Sequence, residues 1–320
     1  MINQRAIEAI ESTDTDELIR VVDGYCSSEA WDDLVDLRAR CREAVSRGKQ
    51  VWGVEEHIRY RLALEAPPGY AGPIVSEGHS RFALGPLPEV AASRKTFAGM
   101  DEFLSVGPAR DTFAAERVVR GEPVDMAIPD LPSHLLEWEP EYPLATYKSD
   151  KVDTPAPTPP EPEDVDLPDE FENVNDAHST GALADLVETW TDQSNGRCQT
   201  SSVGGDHLAA IRSLGLPRAR VARLDTKSAL AWMGWAGASG GAHGKRRGSA
   251  AGRYMAWWTV AVLSDLDWPV DPEALGQSAK RMQWHWFDDG SPSMGWELRL
   301  AIHDPESEMG WAITAVDIAD

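Results

Sequence analysis

Four cations, Lys245, Arg246, Arg247 and Arg253, stand among Gly240, Gly241, Gly244, Gly248 and Gly252 in the stretch from Ser239 to Arg253. Backbone amides of a glycine-rich turn leading into a helix can converge on a phosphate or carboxylate, while guanidinium and ammonium groups neutralise its charge. That chemistry makes Gly244, Lys245, Arg246, Arg247 and Arg253 a candidate anion-binding set for a small ligand. The full phosphate-loop pattern is absent: Ser239 stands where the first glycine belongs, and Arg246 where the magnesium-holding hydroxyl belongs. The competing reading is a basic loop that answers the chain's own acids, with Ala242, Ser249, Ala250 and Ala251 serving close helix packing.

A second polar set is His285, Glu297, Arg299 and His303, which share the polar side of an alternating pattern and could form a site on a sheet face. The eight histidines include no His-x-His or His-x-x-x-His pair, so neither a metal nor a cofactor is expected. In Thr200-Ser-Ser-Val-Gly-Gly-Asp-His, a serine beside His207 could become a nucleophile. The simpler reading makes Asp206 a helix cap. Glu55, Glu56, His57, Arg59 and Arg61 read as a solvated helix face with a Glu55–Arg59 pair.

The elements that would carry these residues fall into two styles. Upstream, Asn3 can cap a helix bearing Ile7 and Ile10, and Thr13 or Asp14 the next, with Leu18, Ile19, Val22 and Tyr25 at helical spacing. Trp31, Leu34, Val35, Cys41, Ala44 and Val45 mark a third helix, Gln50 to Glu65 a fourth that Pro67, Pro68 and Gly69 stop, and Pro108 to Arg120 a later one. Downstream, Met282, Trp284 and Trp286 alternate with polar residues, as do Trp296, Leu298, Leu300 and Ile302, and a third strand runs from Trp311 to Asp317. These predict an antiparallel meander, with a further strand at Ala219 to Leu224 and apolar helices at Ser228 to Ala238 and Gly252 to Ser264. The fold class is α+β: a helical array at residues 1–123, an acidic proline-rich linker at 124–180, and a tryptophan-rich sheet-and-helix domain at 181–320.

Charge supports that division. The chain carries a net charge of −23, and residues 125–176 hold 15 acids against 2 bases. Proline and mutual repulsion predict a stiff spacer there, although Leu131, Leu135, Leu136, Trp138 and Tyr142 should lie along a domain surface. Three well-separated cysteines, no apolar leader and a longest apolar stretch of only ten residues, Tyr254 to Leu263, point to a reducing cytoplasm and away from membranes. The acidity also argues against nucleic acid as a partner.

The run Ala238-Ser-Gly-Gly-Ala-His-Gly-Lys-Arg-Arg-Gly-Ser-Ala-Ala-Gly-Arg, with Trp268-Pro-Val-Asp, Gly295-Trp-Glu-Leu-Arg-Leu-Ala, Asp304-Pro and Gly310-Trp-Ala-Ile, resembles a family of uncharacterised actinobacterial proteins. A fainter echo lies in Glu116-Arg-Val-Val-Arg-Gly-Glu. The resemblance implies a bacterial cytoplasmic setting and a recurring two-part layout, and it carries no catalytic role. The expected function is that of a non-catalytic interaction or adaptor protein with a protein partner, one form being an acidic, inhibitor-like partner of a basic protein. The alternative is an enzyme or binding protein for a phosphate- or carboxylate-bearing small molecule, using the loop 239–253.

Overall fold

The computed structural model describes residues 4–78 and 83–319; Asn3, the expected first cap, lies outside them. Two compact units emerge: Met1–Arg117 with Ala145–Asp153, and Val118–Leu144 with Thr154–Asp320.

The first unit is helical, with α1 (Gln4–Ser12), α2 (Thr15–Ser27), α3 (Trp31–Ser46), α4 (Trp52–Glu65), α5 (Pro68–Ser76), α6 (Leu87–Ala92), α7 (Phe97–Met100) and all but the last two residues of α8 (Pro108–Val119). Asp14 caps α2 by accepting from the Glu17 amide. Pro68, expected only as a stop, also opens α5, where a missing N–H costs nothing. The expected solvated face of α4 is corrected. This helix packs against α2, α3, α5 and α6, and Arg59 and Arg61 are only 6% and 5% exposed. Burial forces each guanidinium onto a carboxylate. Glu55 turns to Arg38 of α3 at 2.7 Å rather than to Arg59, which meets Glu56 at 3.2 Å. A hairpin, β1 (Thr146–Tyr147) with β2 (Val152–Asp153), joins this unit. Its buried Tyr147 donates to Glu89 at 2.6 Å, and Tyr60 donates to the Lys148 carbonyl.

The second unit contains β3 (Glu163–Val165), β4 (Glu172–Asn173), α9 (Ala177–Asp185), α10 (Glu188–Asp192), β5 (Arg197–Gly204), α11 (His207–Ser213), β6 (Ala219–Leu224), α12 (Thr226–Ala238), α13 (Ser249–Leu263), α14 (Pro272–Arg281), β7 (Gln283–Asp288), β8 (Trp296–Asp304) and β9 (Met309–Asp317). The seven strands run in the order β3-β6-β7-β8-β9-β5-β4, all antiparallel, so the expected meander forms the sheet's centre. Trp284, Trp286, Leu298, Leu300, Ile302, Trp311 and Ile313 lie in one core with α12 and α13. Trp232 of α12 stacks on Trp286 with ring centres 4.3 Å apart.

The opposite face, expected to be polar and solvated, is covered. Alternation sends Phe287, Ala301 and Ala312 there, where Ala209, Ala210 and Ile211 of α11 bury them. Val165, Leu167 and Phe171 pack against the same cluster. The acidic stretch that was expected as a free spacer thus places β3 on one edge of the sheet and β4 on the other. Its upstream part goes deeper still. Trp138 and Tyr142 are buried, and they sit against glycines of two helices. A Cβ at Gly276 of α14 would lie 2.5 Å from the Trp138 indole nitrogen, and one at Gly234 of α12 would lie 2.6 Å from the Tyr142 ring. No helix among the described residues is long and apolar enough to cross a membrane.

Candidate functional site

The basic island forms the link from α12 to α13 and the first turns of α13. Helix α13 starts at Ser249, so Arg253 is a helical residue rather than part of the loop. It is 1% exposed. Its Nε and Nη2 donate to the two Glu139 oxygens at 2.7 and 2.8 Å, and its remaining donors meet the Pro132 and His134 carbonyls at 3.0 Å. Glu139 also accepts from the Leu136 amide at 2.9 Å, the Trp257 indole at 2.9 Å and the Tyr142 hydroxyl at 3.0 Å. A buried carboxylate with this many donors has no acceptor capacity to spare. Burial beside it raises the Tyr142 phenol well above its ordinary pKa.

Arg247 donates to the carbonyls of Gly237, Asp185 and Leu186 at 2.7 to 3.0 Å, closing the ends of α12 and α9. Burial pushes its pKa down. The Arg246 guanidinium donates to Ser249 at 3.1 Å, while the exposed Lys245 is held through its amide by Gln193. Gly244 faces Gly240 so closely that a Cβ at either would meet the other's carbonyl. Other loop amides are taken too: Ala242 donates to Asp317 at 2.6 Å, Gly241 to Ser239 at 3.0 Å and His243 to Ser194 at 3.2 Å. Of the five candidate residues, the structure therefore commits Arg247 and Arg253 to the chain's own oxygens and leaves the Lys245 ammonium at the surface.

The second candidate set is split along β8. Glu297 accepts from the Met294 amide at 2.8 Å and lies 3.5 Å from Arg299, which reaches Asp289 at 3.3 Å. His303 is four residues further along, about 13 Å at strand rise. It belongs with His285, and with a residue that spacing could not supply. The His207 ring lies flat on His285, with centres 3.6 Å apart and planes 7° from parallel. The Nδ1 atoms of both rings are buried without a hydrogen bond. Burial first, then the positive neighbours His207, Arg223 and His303, press the His285 pKa down to about 4. Burial lowers His207 as well.

The nucleophile reading of the Thr200–His207 stretch fails on geometry. Ser201 donates to the Ala210 carbonyl at 2.9 Å, and Ser202 pairs with Trp311 on the opposite face. Asp206 caps α11, accepting from the Leu208 and Ala209 amides at 3.0 Å. Among the described residues, no three His, Cys, Asp or Glu side chains are placed to hold a metal ion.

Arg223 is the register partner of His285, so it shares that face of the sheet. It opens onto a recess of about 430 Å³ lined also by Thr226, Lys280, Gln283 and the ends of β6 and β7. Asp225, at its rim, is occupied in capping α12 through the Ser228 amide at 2.6 Å. Arg223 and Lys280 are exposed and form no ion pair with any described acid. The smaller recess of the first unit, about 310 Å³, differs: its Arg5 and Arg20 both contact Glu17. Cations at 223 and 280 carried no signal in the sequence because they meet only through the β6–β7 ladder and the end of α14.

No curated protein and no solved structure matches the chain. The sequence pattern of one family does match, over residues 16–319 and so across both units, and the chain belongs to that family, DUF6183, a family of unknown function.

Proposed function

We propose that the protein is a non-catalytic binding module whose C-terminal unit holds an anionic group, carboxylate or phosphate, in the recess between Arg223 and Lys280. The observation that carries this is a concave site where two cations without an ion pair outnumber its one carboxylate, Asp225, in a chain of net charge −23 whose buried arginines are met by its own carboxylates or carbonyls. Thr226 and Gln283 add neutral hydrogen-bonding groups that could orient the anion. Binding rather than turnover is supported by a Ser201 hydroxyl spent on the Ala210 carbonyl and by a His285 too weakly basic to serve as a general base at neutral pH. The setting proposed with it is a bacterial cytoplasm, where three free thiols, two of them buried, would stay reduced.

The test is calorimetric titration of the full chain with citrate and with inorganic phosphate, at low salt. Saturable binding that disappears in the Arg223→Ala/Lys280→Ala double variant is the expected result. Binding of neither anion to the wild type overturns the reading.

A further inference from the structure

We propose that the recess is a proton-coupled anion site: an anion held by Arg223 draws a proton onto His285 beside it, so that mild acid tightens the binding. This rests on the anion-binding reading above and adds the regulation of that site.

Strand register makes the link. Two residues that line the recess stand directly opposite two of the histidines. Arg223 of β6 pairs with His285 of β7, and Gln283 of β7 pairs with His303 of β8. Opposed residues project to the same face with Cβ atoms about 5 Å apart, and Gln283 and His285, two apart on one strand, share that face as well. The recess and the histidines are therefore adjoining parts of one side of the sheet, the side on which α11 packs. His207, the first residue of α11, completes the group by lying flat on His285.

The charge around His285 is one-sided. Burial opposes a proton on its ring most strongly, and His207 of α11, Arg223 of β6 and His303 of β8 oppose it further, while a hydrogen bond with the Ala301 backbone favours it. Burial holds the His207 proton off too; Asp206 favours that proton, but its carboxylate already accepts from the Leu208 and Ala209 amides. Both rings keep a buried Nδ1 without a hydrogen bond, so their protonation answers to burial and to the charges around them. An anion on Arg223 offsets the positive charge that His285 faces across the ladder and brings a negative one near it, where partial burial limits screening. The coupling is reciprocal: an anion that favours the proton is favoured by the proton to the same degree. Because the ring takes its proton at about pH 4, the gain is absent at neutral pH, where His285 is neutral with or without the anion, and grows as the pH falls toward that value.

The test is calorimetric titration of the full chain with inorganic phosphate at about pH 7.5 and about pH 5.5, in buffers of different ionisation heat, for the wild type and His285→Phe. A tenfold preference of the anion for the protonated ring corresponds to uptake of about 0.2 of a proton per anion at the lower pH, over and above the uptake by His285→Phe, in which phosphate's own titration is unchanged. At the higher pH the two proteins should bind alike. Equal uptake by two proteins that both bind overturns the coupling and leaves the anion-binding reading standing. If His285→Phe does not fold, the His285 ring proton of the wild type decides by NMR: phosphate should move it toward its imidazolium position at the lower pH alone, and the same response at both, or none, overturns the coupling. If phosphate does not bind, this inference falls, and the anion-binding reading falls with it unless citrate binds.

Discussion

From Lys245 to Arg253 four cations crowd one short stretch, whereas Arg223 and Lys280 are far apart in the chain. Folding inverts their availability. Arg253 is enclosed by Glu139 and two carbonyls, and Arg247 by three carbonyls, while Arg223 and Lys280 stand open beside a recess. The difference follows from what surrounds each group. A guanidinium carried on a helix with an apolar face is dragged into the core and must be answered there. One carried near the end of a strand can stay hydrated. Density of charge along a sequence is therefore a poor guide to charge available to a ligand.

The largest expected effect breaks the buried side of this comparison. Arg253→Ala leaves Glu139 in the core with its charge unmet, which should cost about 3 to 5 kcal/mol, enough to unfold much of the second unit. Urea denaturation followed by tryptophan fluorescence measures it. The double variant Arg253→Leu/Glu139→Gln should recover a good part of the loss, since no unmatched charge remains. If Arg253→Ala alone melts like the wild type, the pair is not the staple between residues 132–142 and α13 that its geometry indicates.

Beside the open site, the cations act on their neighbours. His285 on β7 is faced by Arg223 of β6, His207 of α11 and His303 of β8, and its pKa sits near 4 against an ordinary 6.5. The unfolded chain therefore takes up a proton in a range where the folded chain does not. Stability from this group is complete above pH 6.5 and declines as the pH falls toward 4, by up to about 3 kcal/mol. His285→Phe keeps a stacking ring and removes the titration. Its stability should fall less steeply than that of the wild type between pH 6.5 and 4.5, by urea melts in one buffer series. Parallel slopes would place His285 outside the acid response.

How much of this was legible turns on distance along the chain. Alternation at Trp284/Trp286 and Leu298/Leu300 marked β7 and β8, and Asp206 marked the start of α11, because strand faces and caps are written into adjacent residues. The partner of Arg253 lies 114 residues away and leaves no local trace. The covering of the outer face was hidden for a related reason. Leu167 and Phe171 are sparse apolar residues in an acidic, proline-rich run, and that composition reads as solvated until α11 and the sheet supply a surface for them. His285 and His303 could be placed on one face from alternation, but His207 joins them only through the turn from β5 into α11. Glycines 240 and 244 were ambiguous in principle, since a turn that cradles a phosphate and a turn that admits another backbone need the same missing Cβ.

The smallest change sharpens the comparison most. Lys245 is exposed, and its only hydrogen bond among the described residues is through its amide, so Lys245→Ala should alter stability by no more than about 0.5 kcal/mol. Arg223→Ala should be as mild, because its guanidinium has no acidic partner to strand. The two variants should part only when an anion is present. If the recess is the site, phosphate raises the melting temperature of Lys245→Ala as much as that of the wild type, and raises that of Arg223→Ala much less. Measuring all three at one ionic strength removes general screening, which acts alike on exposed cations. The opposite pattern, with stabilisation lost at Lys245 and kept at Arg223, would return the anion to the glycine-rich loop and make the open recess a bystander.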